Sequence, residues 1–264
     1  MNVFVREINA NARSLIIWSL AMVLMIASSM GKYAGLVVSG QSINELMAEM
    51  PESLKAIMGV GTFDLTTVGG YYGVLHIYLL IIAAAHAVLL GTGIISKEER
   101  DKTAEFLFVK PRSRSSIITS KLAAALVNVL IINIVTTASS IIFVNKYGSG
   151  QSITGDIATL MIGMFVLQLT FLFIGTANAA IINNPGTSSA FSIGILLGTF
   201  ILSILIDINS RIEILKYLTP FKYFDAKNLL YDPGFERVFL VISTVLIIVL
   251  FYMTYNYRRR DLKL

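Results

Sequence analysis

Six long apolar runs constrain this chain more than any other feature of its sequence. They lie at about residues 15–38, 72–95, 118–145, 157–182, 187–206 and 236–257. Each run is long enough to cross a hydrocarbon layer of about 30 Å as an α-helix that rises 1.5 Å per residue. Only 14% of the 264 residues are charged, and six such helices cannot all be buried in so small a soluble core. The sequence therefore predicts an all-α integral membrane protein, a single transmembrane domain over residues 1–264 with six spans.

Basic residues are concentrated on one side of the predicted spans. Thirteen of the 21 Lys and Arg residues lie on this side: twelve precede the first run, follow the last, or lie between the second and third runs, and Lys121 lies just inside the third run. Cytoplasmic connections of membrane proteins carry the excess of Lys and Arg. We therefore expect a multi-pass protein of the cell membrane with both termini in the cytoplasm. Membrane anchoring also explains the net charge of +5 without nucleic acid as a partner.

The sequence offers few residues for catalysis or metal binding. It has no cysteine, which excludes disulfides and thiolate metal sites. His76 and His86 both lie in the second run, and ten residues of helix separate them by about 15 Å, too far to share a metal. Gly91-Thr92-Gly93 lies inside an apolar helix and is not a phosphate-binding loop. We expect no catalytic, metal or cofactor site in this chain, and we expect the histidines to serve helix packing.

The connection after the second run has the pattern of a short amphipathic helix. Ser96-Lys97-Glu98-Glu99 fits the capping box S-x-x-E, which satisfies the free amides at a helix start. Charged side chains then fall on one face and apolar side chains on the other, until Pro111 ends the helix. The pattern predicts an interfacial helix over about residues 97–110, although a solvated charged loop would have a similar composition.

Two further patterns lie within the predicted spans. Ala190, Gly194 and Gly198 form a small-x-x-x-small row that allows close helix packing, either within one chain or between two copies. Asn184-Pro185-Gly186 has the residues of a type II turn between the fourth and fifth spans. Several polar side chains could line a pathway or hydrogen-bond between helices, and we slightly favour hydrogen bonding. These polar residues are Asn128, Asn133, Gln168, Thr170 and Asn178.

Several local motifs together resemble the permease subunits of type-2 ABC exporters, including bacterial exporters of the bacitracin and phenol-soluble-modulin types. The first is the pattern formed by Glu99, Lys102-Thr103, Glu105, Leu107, Pro111, Arg114 and Lys121. The others are residues 1–14, which are similar to an N-terminal interfacial helix, the turn over residues 219–224, and the basic ending at 257–261. The resemblance covers the whole chain.

The resemblance implies that residues 97–110 form the coupling helix, which sits in a cleft of a separate ATPase subunit. It assigns ATPase coupling to Glu98, Glu99, Lys102, Thr103, Glu105, Leu107, Phe108, Arg112 and Arg114. The charged members would contact the ATPase, and the apolar members would hold the helix on the membrane domain. The expected partners are two copies of that ATPase, which would bind ATP and Mg, and a second permease subunit in a homodimer or heterodimer.

Two other function classes compete with this interpretation. One is a stand-alone secondary carrier or channel, and the other is a non-transporting accessory or immunity protein. No Asp or Glu lies near the middle of a predicted span to couple a proton, which counts against the carrier. The expected substrate of an exporter is a hydrophobic or amphipathic molecule, such as a peptide or an antibiotic.

Overall fold

Six long apolar helices make up most of the structure, which is a computed structural model describing residues 2–39, 50–60, 63–101, 113–148, 153–231 and 235–256. The long helices are α1 (Val3–Ser39), α3 (Val68–Arg100), α4 (Arg114–Tyr147), α5 (Thr154–Ile181), α6 (Pro185–Ile208) and α9 (Arg237–Asn256). The short ones are α2 (Glu52–Met58), a 3₁₀ helix (Ser210–Leu218), α7 (Pro220–Tyr223) and α8 (Ala226–Tyr231). The described residues contain no strand. The prediction of an all-α membrane protein with six spans is confirmed.

The amino-terminal helix differs from the prediction in one respect. Residues 1–14 were expected to form a separate interfacial helix, but α1 is continuous for 37 residues from Val3. No Gly or Pro interrupts the sequence before Gly31, so nothing breaks the backbone hydrogen bonds. A helix of this length extends about 55 Å and is longer than the hydrocarbon core is thick.

The centre of the fold is the contact between α3 and α5, the two most buried long helices. Their backbones approach closely at two glycines. A Cβ atom at Gly91 would lie 2.3 Å from the carbonyl oxygen of Leu172, and one at Gly175 would lie 2.4 Å from that of Val88. Both distances are far below van der Waals contact. Glycine is therefore required on both sides of this crossing.

The other long helices surround this pair. α4 packs against α1 and α5, α6 packs against α3, and α9 packs against α5. The outer faces of α1, α6 and α9 expose apolar side chains, among them Ile17, Ile201 and Ile248. Such faces suit lipid or another membrane helix.

The helices alternate in direction, so their ends define two sides of the domain. We call the side with the start of α1, the end of α3, the start of α4 and the end of α9 the terminal side. The opposite side holds α2, the 3₁₀ helix, α7 and α8. Phe221 of α7 anchors this second group, since its ring contacts Phe171 of α5 and Phe200 of α6, each with centroids 5.3 Å apart.

The connection between α5 and α6 is not the type II turn that the sequence suggests. Pro185 and Gly186 lie in the first turn of α6, and Asn184 is its N-cap. The Asn184 Oδ1 atom accepts hydrogen bonds from the backbone N–H groups of Gly186 (2.9 Å) and Thr187 (3.1 Å). Pro at the first helical position lacks only an N–H that would be unpaired there.

Candidate functional site

The terminal end of α3 is the part of the structure that leads into the predicted coupling segment. The predicted capping box is wrong, because α3 continues through Ser96 to Arg100 without a break. The Ser96 hydroxyl donates to the carbonyl oxygen of Thr92 at 2.7 Å, a bond that keeps it inside the helix. Lys97 and Arg100 lie in the last turn, where positive charge is favourable. The expected start of a new helix at 97 is therefore wrong, and Lys97–Arg100 belong to α3.

Part of the predicted coupling set lies outside the described residues. This part consists of Lys102, Thr103, Glu105, Leu107, Phe108 and Arg112. Glu98 and Glu99 lie in the last turn of α3, and the Glu99 side chain is partly buried. Arg114 is the first residue of α4, which is capped by the Ser113 hydroxyl accepting from the Ser116 N–H at 3.3 Å.

A buried carboxylate ties the end of α3 to α1. Glu7 has no exposed surface, and its Oε1 atom lies 2.7 Å from Nη2 of Arg6. The Nζ atom of Lys97 lies 3.6 Å from the other carboxylate oxygen. A buried charge is costly unless it is paired. We call Arg6, Glu7 and Lys97 the ionic junction; it brings the last turn of α3 beside the first turns of α1 through an ion pair that is longer than a hydrogen bond.

A buried cation ties α4 to the same end of α3. Lys121 is 3% exposed, and its ammonium group donates to the carbonyl oxygen of Ile94 at 2.6 Å. Val3 of α1 and Ile117 of α4 form a small buried apolar contact beside it. Three long helices are thus joined by polar and apolar contacts on the terminal side, next to the predicted coupling segment.

The small-residue row on α6 faces away from the rest of the chain. Ala190, Gly194 and Gly198 are all exposed. A Cβ atom at either glycine would meet nothing within 4 Å among the described residues. The row therefore does not serve packing against this chain's own described helices, and it lies open on an outer face of α6.

Three of the polar residues within the spans make hydrogen bonds between helices. Asn133 of α4 donates to the carbonyl oxygen of Met161 (3.0 Å) and to Gln168 Oε1 (3.4 Å) on α5. Asn178 of α5 donates to the Ser192 hydroxyl of α6 at 2.9 Å. These contacts favour a packing role over a pathway.

Two further polar residues in these spans bond within their own helix. The amide of Asn128 donates to the carbonyl oxygen of Ala124 at 2.8 Å. The hydroxyl of Thr170 donates to the carbonyl oxygen of Val166 at 3.0 Å. Both side chains are buried, so neither lies on an open surface of this chain.

Both histidines of α3 are buried, in different surroundings. His76 has no hydrogen-bond partner among the described residues. His86 packs edge-on against Trp18 of α1, with ring centroids 5.7 Å apart. The described part of the chain contains no group of three His, Asp or Glu side chains that could hold a metal.

A charged cluster that the sequence patterns do not single out lies on the opposite side. Lys222 of α7 is 8% exposed, and its Nζ atom donates to Asp207 at 2.5 Å and to Asp225 at 3.1 Å. Burial by itself lowers the pKa of Lys222, but the two carboxylates raise it more, and the net pKa lies above the ordinary value. The ion pairs therefore stabilise the fold at neutral pH, and this contribution is lost as the pH rises through the raised pKa. The i, i+3 spacing of Lys222 and Asp225 was the available sequence signal.

The geometry describes a membrane domain built from six packed apolar helices. Comparison with known proteins agrees with this description. The model of the family described as ABC-2 family transporter protein matches residues 1–262. A search of curated proteins found no match. The matched region is nearly the whole chain and includes all six apolar helices. The chain therefore belongs to the ABC-2 family of transporter proteins.

Proposed function

We propose that this permease subunit works in an ATP-driven exporter of the cell membrane, as a dimer that pairs with two copies of an ABC ATPase. Both termini would lie in the cytoplasm, and ATP and Mg would bind to the ATPase. The proposed substrate is a hydrophobic or amphipathic molecule, such as a peptide or an antibiotic. Membership of the ABC-2 family supports the permease role and the association with an ATPase.

The ionic junction is the observation that carries the coupling proposal. The chain leaves α3 at Asp101, one turn beyond Lys97, and enters the predicted coupling segment there. The buried Glu7 carboxylate holds both Arg6 of α1 and Lys97 of α3. A push on the segment after Asp101 would therefore move α1 and α3 together, because separating them would remove the Lys97 charge from the second oxygen of the buried Glu7 carboxylate.

The position of α3 supports the same proposal. α3 packs against four other long helices, α1, α4, α5 and α6. Because a packed helix moves as a rigid body, displacement of its terminal end cannot remain local. Closure of the ATPases would thus be converted into a rearrangement of the helices around the transport route.

Charge reversal in the coupling segment tests this proposal. The double variant Glu99→Lys with Glu105→Lys should weaken ATPase binding and uncouple ATP hydrolysis from export, because it places like charges against a partner surface suited to acids. Single exposed ion pairs contribute only about 0.2–1 kcal/mol, so both positions are changed together. The matched control is Glu52→Lys with Glu236→Lys, two exposed acids on the opposite side.

The measurements are co-purification of the ATPase with the chain and substrate transport by the purified complex. The control should behave like the wild type in both. Normal ATPase binding and transport in the Glu99 and Glu105 variant would mean that the segment is a solvated loop and that coupling lies elsewhere.

The open glycine row of α6 supports the proposed dimer. Gly194 and Gly198 leave a groove in which a second helix backbone could approach closely. Gly194→Leu should fill the groove and weaken the dimer by about 1–2 kcal/mol. Gly155→Leu is the control, since Gly155 is also a helical glycine with nothing within 4 Å. Crosslinking that gives equal dimer fractions for both variants would place the interface on another face.

The substrate class is tested separately, by ATPase stimulation in the reconstituted complex. A panel of amphipathic peptides and peptide antibiotics should raise the rate of ATP hydrolysis, and hydrophilic peptides of the same length should not. Stimulation by the hydrophilic set alone would contradict the proposed substrate and leave the coupling proposal untouched.

A further inference from the structure

A cleft opens on the terminal side between α1 and α3, next to the ionic junction. Its volume is about 280 Å³, room for roughly nine groups of the size of a water molecule. Residues from both helices line it: Ala10, Asn11, Ser14, Trp18, His86, Leu89, Leu90, Gly93, Ile94, Lys97 and Arg100. Four of these residues are exposed, namely Ala10, Ser14, Leu89 and Arg100. The cleft therefore opens on the outer surface of the helices, which faces the membrane lipid.

The end of the cleft near the junction is positively charged. Lys97 and Arg100 line it, and no carboxylate does so among the described lining residues. The Glu7 carboxylate near Lys97 is shared with Arg6. The Asp101 carboxylate pairs with Nε of Arg100 at 3.0 Å, and Asp101 is not among the residues that line the cleft. Asn11 and Ser14 add polar groups on the α1 side. This end suits a phosphate group, which Arg and Lys bind through charge-assisted hydrogen bonds.

The other end of the cleft is aromatic and apolar. The rings of Trp18 and His86, which pack edge to face, line this end of the cleft. Leu89 and Leu90 form part of its wall. His86 is 3% exposed and its Nδ1 atom lacks a hydrogen-bond partner within the described ranges. Eleven residues of helix separate His86 from Lys97, a distance of about 16 Å along the axis.

Gly93 provides the width of the cleft between these two ends. A Cβ atom at this position would meet nothing within 4 Å, so the missing side chain leaves open space. A molecule with an anionic head and a long apolar tail matches this order of groups along the helix. The surrounding membrane leaflet contains such molecules, and these anionic lipids are attracted to basic residues at the interface.

We propose that this cleft binds one anionic phospholipid of the leaflet on the terminal side. Its phosphate lies between Lys97 and Arg100, and one acyl chain runs past Gly93 toward Trp18 and His86. The bound lipid fills the space between α1 and α3 and joins the two helices at the ionic junction. It is a resident component of the fold, distinct from the transported substrate.

Trp18 is the single tryptophan of the chain, which makes its fluorescence a direct reporter of the occupied cleft. The purified full chain is reconstituted into phosphatidylcholine vesicles that contain a minor fraction of phosphatidylglycerol, with bromine on the acyl chains of one lipid at a time. Brominated phosphatidylglycerol should quench Trp18 well beyond its share of the lipid. Equal quenching per molecule by the two lipids would overturn the proposal.

Two variants and two matched controls locate the site. Arg100→Gln should weaken the preference for phosphatidylglycerol about fivefold, the change expected for one basic residue beside anionic lipid. Gly93→Leu should fill the cleft and abolish the excess quenching. Arg237→Gln removes an exposed Arg on the opposite side, and Gly155→Leu enlarges another open helical glycine. Both controls should keep the wild-type preference.

A competition arm separates a lipid site from a phosphate site. Inorganic phosphate added to the vesicles should leave the excess quenching unchanged, because the apolar tail supplies much of the binding. Loss of the excess quenching with inorganic phosphate would show a simple anion site and overturn the lipid assignment. Wild-type preference in Gly93→Leu would overturn the placement of the acyl chain.

Discussion

Replacement of Gly91 by Ala should destabilise the protein by forcing apart the two helices at the centre of the fold. The added Cβ atom would lie 2.3 Å from the carbonyl oxygen of Leu172 and 3.1 Å from the amide nitrogen of Thr176. Ordinary contacts of this kind begin near 3.4 Å. Since both atoms belong to the α5 backbone, no side chain can rotate to relieve the clash, and α3 and α5 must separate by about 1 Å.

The cost follows from this displacement. Overpacking of a close-packed interior typically costs about 1–3 kcal/mol, and separation also weakens dispersion contacts along both helices. Gly93→Ala is the control, because Gly93 lies two residues away on the same helix and its Cβ would meet nothing within 4 Å. Both changes alter helix propensity equally. We expect Gly91→Ala to be less stable than Gly93→Ala by about 2 kcal/mol, or about 30-fold in the unfolding equilibrium.

The assay is unfolding of the purified chain in mixed micelles by titration with sodium dodecyl sulfate, followed by circular dichroism and by Trp18 fluorescence. Gly91→Ala should unfold at a lower detergent fraction than both the wild type and Gly93→Ala. Equal midpoints for the two alanine variants would refute the reasoning, because they would show that the helices can separate at no cost.

Three further predictions concern other parts of the structure. Lys222→Met should destabilise the protein by on the order of 2 kcal/mol in thermal unfolding, because it leaves two carboxylates without their cation. The cost is reduced because one of these carboxylates, that of Asp207, is half exposed. Adding Asp225→Asn should recover part of the lost stability, and no recovery would contradict the ion-pair account. Asn133→Val should lower the free energy of unfolding by only about 0.6–1.7 kcal/mol in the same assay and leave transport unchanged, because its amide forms a hydrogen bond between α4 and α5. A loss of transport without a loss of stability would instead favour a role in a transport pathway. This chain has no cysteine, so a single cysteine can be introduced at Ser113 or at Gly150. The cysteine at 150 should be labelled by a reagent added outside intact cells, and the cysteine at 113 only from the inside. Labelling at 113 from outside would show that the topology is the reverse of the prediction.

The long helices could be predicted from the sequence because membrane insertion depends on local composition. Every apolar run corresponds to one observed helix, and the helix bounds extend beyond the runs mainly at polar ends. α1 shows why the ends are less predictable. Polar residues such as Arg6 and Asn11 mark the edge of the apolar run, yet they do not end the helix, since neither lacks a backbone N–H or clashes with the preceding turn as Pro does.

The end of α3 illustrates a different limit. Ser96 followed by Glu99 satisfies the capping pattern, but the same serine can donate to a carbonyl oxygen one turn earlier and remain inside a helix. The choice depends on whether the preceding turn is already helical. Here the packing of α3 against four other helices stabilises that turn, so tertiary contacts decide a question that the local sequence leaves open.

The ionic junction and the lipid cleft could not be predicted because they join residues far apart in the chain. Glu7 and Lys97 are separated by most of α1 and α3, and nothing in either segment identifies the other as its partner. Gly91 and Gly93 are equivalent in sequence and opposite in role: one lies against a neighbouring backbone, and the other faces the cleft. Only the rotation of α3 about its axis, set by packing, distinguishes them.

The close crossing at Gly91 also determines how movement would pass along α3. Nine residues, about 14 Å, separate Gly91 from Arg100, and 23 residues, about 35 Å, separate it from Val68 at the other end. If the tight crossing acts as a pivot, a lateral shift of about 2 Å at Arg100 becomes a shift of about 5 Å in the opposite direction at Val68. α3 contacts α6 and α8 as well, so this larger movement would reach the helices on the opposite side. In the proposed coupling mechanism, a small displacement at the terminal end of α3 would thus be amplified at the far end, because the point of closest packing lies nearer to the end that would be pushed.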